Sequence, residues 1–226
     1  MTDQRPMPSG ASHEVGPEEM FFSTTDAKGI IKEANTVFVH LSRYSRQQLV
    51  GAPHNIIRHP SMPGGAFLLM WQTLQAGKPF CAYVDNLAAD GSRYTVFATI
   101  TPLGDDYLSV RVRPQRTELL DAARGLYEAV RPQELAARYG GASAHEAAQL
   151  GLGQLAELLV GAGIPSYDEF IWAALPAEVA GRSASTGGYP ARPDATGPLA
   201  ELLASAGRLH QGLATWVGEL DALAEL

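Results

Sequence analysis

Asn55-Ile56-Ile57-Arg58-His59-Pro60-Ser61-Met62-Pro63 is the stretch around which the chain arranges itself. Pro60 and Pro63 fix φ and remove two backbone donors, which excludes a regular helix or an inner strand. Arg58 and His59 add cationic or hydrogen-bonding heads. A loop with such chemistry carries a site more often than a core. It reads as one wall of a ligand pocket.

Working toward the N-terminus, Ser45 and Gln48 have capping-box spacing, so a short helix starts there and stops at Gly51. Asn35 is an N-cap for a helix carrying Val37, Phe38, Leu41 and Tyr44. Phe21–Thr25 and Ile30–Glu33 read as strands joined by turn chemistry at Asp26-Ala27-Lys28-Gly29. Residues 1–19 are polar and rich in Pro and Gly, which predicts a disordered leader.

Toward the C-terminus, Phe67, Met70, Trp71 and Leu74 recur at helical spacing and predict an amphipathic helix over Gly65–Ala76, with Gly77 as its stop. Three strands follow, Phe80–Asn86, Arg93–Pro102 and Tyr107–Arg113. In the last, Tyr107, Ser109, Arg111 and Arg113 share one face and Leu108, Val110 and Val112 the other. Short turns between them predict an antiparallel meander. The fold class is therefore α+β, a five-stranded antiparallel sheet with helices on one face, followed by a helical C-terminal region.

Pro114 ends the sheet, and residues 114–180 carry helical signals interrupted at Gly140-Gly141 and Gly161-Ala162-Gly163. Residues 181–197 have the composition of a flexible linker. Within 198–226, positions 199, 206, 213 and 220 and positions 202, 209, 216 and 223 form an a/d heptad pattern. It fits either a coiled coil or an amphipathic helix packing on 117–180.

Composition narrows the function. The 226 residues carry a net charge of −7 with no basic cluster, which argues against nucleic acid. A single cysteine, Cys81, excludes an internal disulfide and a Cys-rich zinc site and fits the cytoplasm. No apolar run approaches the roughly 18 residues of a membrane span. No nucleophile–base pair or carboxylate dyad has recognisable spacing, so no enzyme is expected.

The element order resembles a PAS domain over residues 20–113. Local words resemble the PAS domain of bacterial aerotaxis receptors: Ser-Thr-Thr-Asp at 23–26, Ala-Asn-Thr-Val-Phe at 34–38, Gly-Ala-Pro-His-Asn-Ile-Ile-Arg-His-Pro at 51–60, Met70-Trp71, and Asn86 with Asp90-Gly91. Ser61 stands where that family commonly has Asp, and Phe80 where it has Trp.

The resemblance implies noncovalent FAD and the reporting of redox state or oxygen to a chemotaxis signalling module. It suggests Arg58, His59, Trp71 and Asn86 as residues near the flavin. Phe80 joins them because Phe80, Ala82, Val84 and Asn86 share one largely apolar strand face. A buried Asn86 needs partners, which a flavin edge would supply, although Asn86 could equally begin the following turn. Arg58 fits either flavin oxygens or nearby carbonyls. His59 could instead ligate haem, while His54 reads as a loop-fixing hydrogen bonder. Cys81 has the opposite parity and should point away from the pocket. Signalling would pass through the C-terminal helices to a partner protein or a homodimer. The rival reading is a ligand-free PAS interaction and dimerisation module.

Overall fold

The computed structural model describes residues 6–185 and positions 196, 197, 200, 201 and 205. Residues 1–181 form one compact unit and 182–226 a second. All the a/d positions of the heptad segment and most of the expected linker lie outside the described residues. The last helix runs to Ser185, five residues into that linker.

Local chemistry sets the first elements. β1 (Met20–Thr25) pairs antiparallel with β2 (Ile31–Ala34). α1 (Thr36–Ser42) starts where the Asn35 side chain accepts the Phe38 N–H at 3.0 Å. α2 (Arg46–Leu49) has the reciprocal Ser45–Gln48 capping box. After one 3-10 turn, His54–Ile57, comes α3 (Gly64–Gln75), and Gly77 adopts φ 76° beyond its end. A left-handed residue of this kind is the usual glycine stop.

The meander follows as β3 (Phe80–Leu87), β4 (Arg93–Leu103) and β5 (Asp106–Val112). The sheet order is β2-β1-β5-β4-β3, so the first hairpin inserts beside the last strand. One face of this sheet packs with α1, α2 and the loop before α3. Its core holds Phe21, Phe38, Leu49, Ile57, Tyr94 and Val96.

Three helices come next: α4 (Thr117–Tyr139), α5 (Ala144–Gly161) and α6 (Tyr167–Ser185). Ala123 on α4 and Ala174 on α6 join Cys81, Tyr83 and Phe97 in a second core. Those strand residues have the parity opposite to Phe80 and Asn86, so α4 and α6 cover the other sheet face. Tyr167 also closes the edge of β3: its hydroxyl donates to the Cys81 carbonyl at 2.7 Å and accepts the Cys81 N–H at 3.0 Å. An open strand edge leaves such groups unpaired.

The leader is not disordered over its described part. Ser12 forms a parallel bridge with Arg93, and Arg93 N–H donates to the Ala11 carbonyl at 2.9 Å. The His13 ring reaches Ser92 Oγ at 2.9 Å and the Leu41 carbonyl at 3.0 Å, and it stacks on Tyr94. Val15 is buried. A polar composition predicts disorder when no partner exists. Here the turn before β4 offers free backbone groups and a pocket for one apolar side chain.

Candidate functional site

A cavity of about 250 Å³ lies between the inner sheet face and α3. Its apolar walls come from Ile57, Phe67 and Met70 on one side and from Phe80, Val84 and Ile100 on the other. The expected stretch forms its rim. Arg58 pairs backbone to backbone with Asn86 in an isolated antiparallel bridge, and the next amide, His59 N–H, donates to the Asp85 carbonyl at 3.3 Å.

The proposed ligand residues divide. Arg58, Trp71, Phe80 and Asn86 all line the cavity. Arg58 is already engaged, with its guanidinium carbon 3.9 Å from the Phe67 ring centroid and Nη2 donating to the Met62 carbonyl at 3.0 Å. Trp71 meets Tyr107 edge-on at 5.8 Å. Phe80 has Tyr167 stacked behind it at 5.2 Å. Asn86 does not begin a turn. It is inside β3, opposite Tyr94, and only 2% exposed.

His59 is outside the lining. Its Nδ1 sits 2.6 Å from Ser61 Oγ, so the serine that replaces the expected acid is its local partner. Burial lowers the His59 imidazole from its ordinary range, with Asp85 opposing and Arg93 adding to the shift. His54 takes the inward position instead. It lines the cavity, stacks on Phe38 at 5.6 Å, and has Nε2 3.1 Å from Ser23 Oγ. Burial, reinforced by the Arg111 charge, holds His54 well below the usual imidazole range, so it is neutral.

The largest surprise is on β5. Ser109 and Arg111 line the cavity and are 4% and 6% exposed. The polar face of the alternating strand thus turns inward, while Leu108, Val110 and Val112 turn the other way. The alternation was visible in the sequence, but its sign was not. A buried guanidinium is costly unless paired. Here Arg111 stands 5.3 Å from the Phe21 centroid, and its Nε and Nη1 have no hydrogen-bond partner. Burial pulls its pKa down to about 10, which still leaves it charged near neutrality. Asn86 Nδ2 and Ser109 Oγ are also unpartnered.

Three buried groups that can donate hydrogen bonds therefore surround an apolar volume. Native interiors rarely leave such groups unsatisfied, because each costs about 1–3 kcal/mol. The arrangement suits a flat apolar ligand with acceptors along one edge. A negative or electron-rich edge would best suit Arg111. Cys81 points to the opposite core, where burial pushes its thiol up to about 12 and leaves it unreactive. Among the described residues, no group of three His, Cys, Asp or Glu is placed to hold a metal ion, and no helix is long and apolar enough to cross a membrane.

No protein-family model matches the chain. An aerotaxis receptor of Escherichia coli K12 is 39% identical over 121 residues, which are 51% of this chain and 24% of that protein. A nitrogen fixation regulatory protein of Klebsiella pneumoniae is 35% identical over 81 residues, 36% of this chain and 16% of that protein. The chain thus matches about a quarter or less of the length of these relatives. Among solved structures, a light-oxygen-voltage domain studied with a flavin analogue is 20% identical, with 46% of this chain and 83% of that one aligned at a TM-score of 0.42. A Rhodobacter sphaeroides LOV protein is 17% identical over 63% of this chain and 88% of that one, TM-score 0.40. The fold is read from the strand order and the site geometry, and the sequence likeness to the receptor fits both. The chain carries a PAS domain of the aerotaxis-receptor type.

Proposed function

We propose that the cavity binds FAD noncovalently and that the chain reports redox state or oxygen to a signalling partner of the chemotaxis type or to a second copy of itself. The observation that carries the reading is the set of unpartnered buried groups, Asn86 Nδ2, Ser109 Oγ and Arg111 Nε and Nη1, facing an apolar volume. The pyrimidine side of an isoalloxazine ring offers carbonyl and ring-nitrogen acceptors, and its benzenoid side suits Met70, Phe80 and Ile100. The cavity is just below the usual span for ligand pockets, about 300–1,000 Å³. It suits the ring, and the exposed Lys28 and partly exposed Trp71, which also line it, would be available to the rest of the dinucleotide.

A bound flavin would supply reversible electron transfer. Arg111 would set a fixed positive charge beside the ring, and Asn86 and Ser109 would orient it by hydrogen bonds. His54, neutral and hydrogen-bonded to Ser23, keeps a second charge out of the cavity. Haem held by His59 has less support, because that imidazole lies outside the lining and bonds to Ser61. The ligand-free module remains the rival.

The test is the absorption spectrum of the purified chain, as isolated and after incubation with FAD. Flavin bands that bleach on reduction and recover in air are expected. A colourless protein that retains no FAD after gel filtration gives the decision to the ligand-free module.

A further inference from the structure

Glu134 is 1% exposed, yet it sits on a C-terminal helix far from the cavity in sequence. Its Oε2 accepts the Gly64 N–H at 2.7 Å and its Oε1 the Gly65 N–H at 2.8 Å. It therefore caps α3, whose first turn has free N–H groups and no side-chain cap of its own. A carboxylate at a helix N-terminus also meets the favourable end of the helix dipole. Arg131 Nη1 reaches the same Oε2 at 3.0 Å, while Arg131 Nε donates to the Pro60 carbonyl at 2.9 Å. One turn of α4 thus grips both the loop that rims the cavity and the helix that walls it.

α5 locks against the same point. A Cβ at Gly151 would stand 2.0 Å from Glu134 Oε1, and a Cβ at Gly65 would stand 2.3 Å from the Leu152 nitrogen. The start of α3, the Glu134 carboxylate and the backbone of α5 meet with no room for another carbon.

Earlier in α4 lies a second set of attachments, to the opposite wall. The Tyr127 hydroxyl donates to the Tyr83 carbonyl at 3.1 Å. Arg124 Nη2 donates to Thr95 Oγ1 at 2.9 Å and lies 3.6 Å from Asp85, the residue before Asn86. Pro132 follows Arg131, the first residue of the later set, and closes the turn Glu128–Pro132 that joins the two. It lacks the N–H that would bond to the Glu128 carbonyl, so α4 is weakened between its two anchorages.

We infer that α4 is a strap joining the two walls of the cavity from outside, fixed to β3 by Arg124 and Tyr127, to the loop before α3 by Arg131 and to α3 by Glu134, that transmits cavity occupancy to α5 through the Glu134 carboxylate. The inference deepens the proposed function and takes from it only the identity of the occupant. An occupant that favours one separation of α3 and β3 favours one arrangement of the strap. By reciprocity, loosening the strap alters the occupant's affinity by the same factor.

Hydrogen exchange of the full chain tests it, with and without FAD, in the wild type and in Glu134→Gln. In the wild type, FAD slows exchange at 64–75 and 80–87 and also at 144–161. In Glu134→Gln, FAD still slows exchange at 80–87, the response at 144–161 is lost, and FAD affinity shifts by about five-fold or more. A response at 144–161 that persists unaltered in the variant overturns the strap, even if exchange there is faster throughout. If Glu134→Gln does not fold, Arg131→Met is read in the same way.

A wild type that shows no FAD binding removes the flavin reading but not the strap. Arg124→Met in the ligand-free protein then decides. Faster exchange at 60–66, across the cavity, supports the strap, and unchanged exchange there overturns it.

Discussion

The Tyr83 hydroxyl donates to Glu178 Oε1 at 2.7 Å inside the core beneath the sheet. The same carboxylate accepts the backbone N–H groups of Gln115 at 2.7 Å and Arg116 at 2.9 Å. Glu178 therefore does for the start of α4 what Glu134 does for the start of α3. Both residues follow a proline by two positions, in Arg-Pro-Gln-Glu at 131–134 and Leu-Pro-Ala-Glu at 175–178. Tyr83→Phe removes one donor from a buried carboxylate and leaves two. It is expected to lower unfolding stability by about 1.5–3 kcal/mol, the range for hydrogen bonds to charged groups. Urea unfolding reads this as a lower midpoint at unchanged slope.

Arg111→Met separates ligand binding from folding. Without FAD it removes a buried cation with unpartnered nitrogens, so the thermal midpoint should hold or rise. With FAD the lost charge-assisted bonds should weaken binding by about 10- to 100-fold. Fluorescence titration and thermal scans on the same samples check both signs. A variant that loses stability in the absence of FAD would mean that Arg111 is structural.

His54 predicts a pH dependence. Its folded pKa lies below the unfolded value near 6.5, so the unfolded chain binds the proton more readily. The His54 contribution is whole above about pH 6.5. It is lost as pH falls below that value, at up to about 1.4 kcal/mol per pH unit, until folded His54 itself protonates. Subtracting the stability profile of His54→Gln from that of the wild type should leave this slope between pH 6.5 and 5. A flat difference would contradict it.

Two glycine substitutions should have opposite signs. Gly65→Ala pushes a methyl against the Leu152 backbone, which cannot move aside as a side chain can. A loss of about 1–3 kcal/mol or more is expected. Gly153→Ala, on the same α5 helix with open space around it, should gain up to about 1 kcal/mol from helix propensity. Thermal unfolding of both variants provides the comparison.

The docked leader makes a prediction as well. Val15→Ala removes two buried carbon groups at about 0.8 kcal/mol each, a loss of roughly 1.5 kcal/mol. Limited proteolysis should then cut residues 6–15 faster than in the wild type.

The sequence by itself determined what is local. The Ser45–Gln48 box, the Asn35 cap, the Gly77 stop and the period-two pattern of β3 each depend on residues a few positions apart. They placed the helices and strands, the PAS likeness and the inward parity of Phe80 and Asn86. Tertiary structure alone decided which face of β5 turns inward, because alternation gives two faces without saying which one meets the core. It also decided that His54 rather than His59 enters the cavity, through a 3-10 turn that rotates one imidazole in and leaves the other on Ser61. The buried glutamates were hidden for the same reason. Glu134 and Gly65 are 69 residues apart, and Glu178 and Tyr83 are 95 apart. A helical Glu reads as a solvated face until a distant helix start arrives to use it.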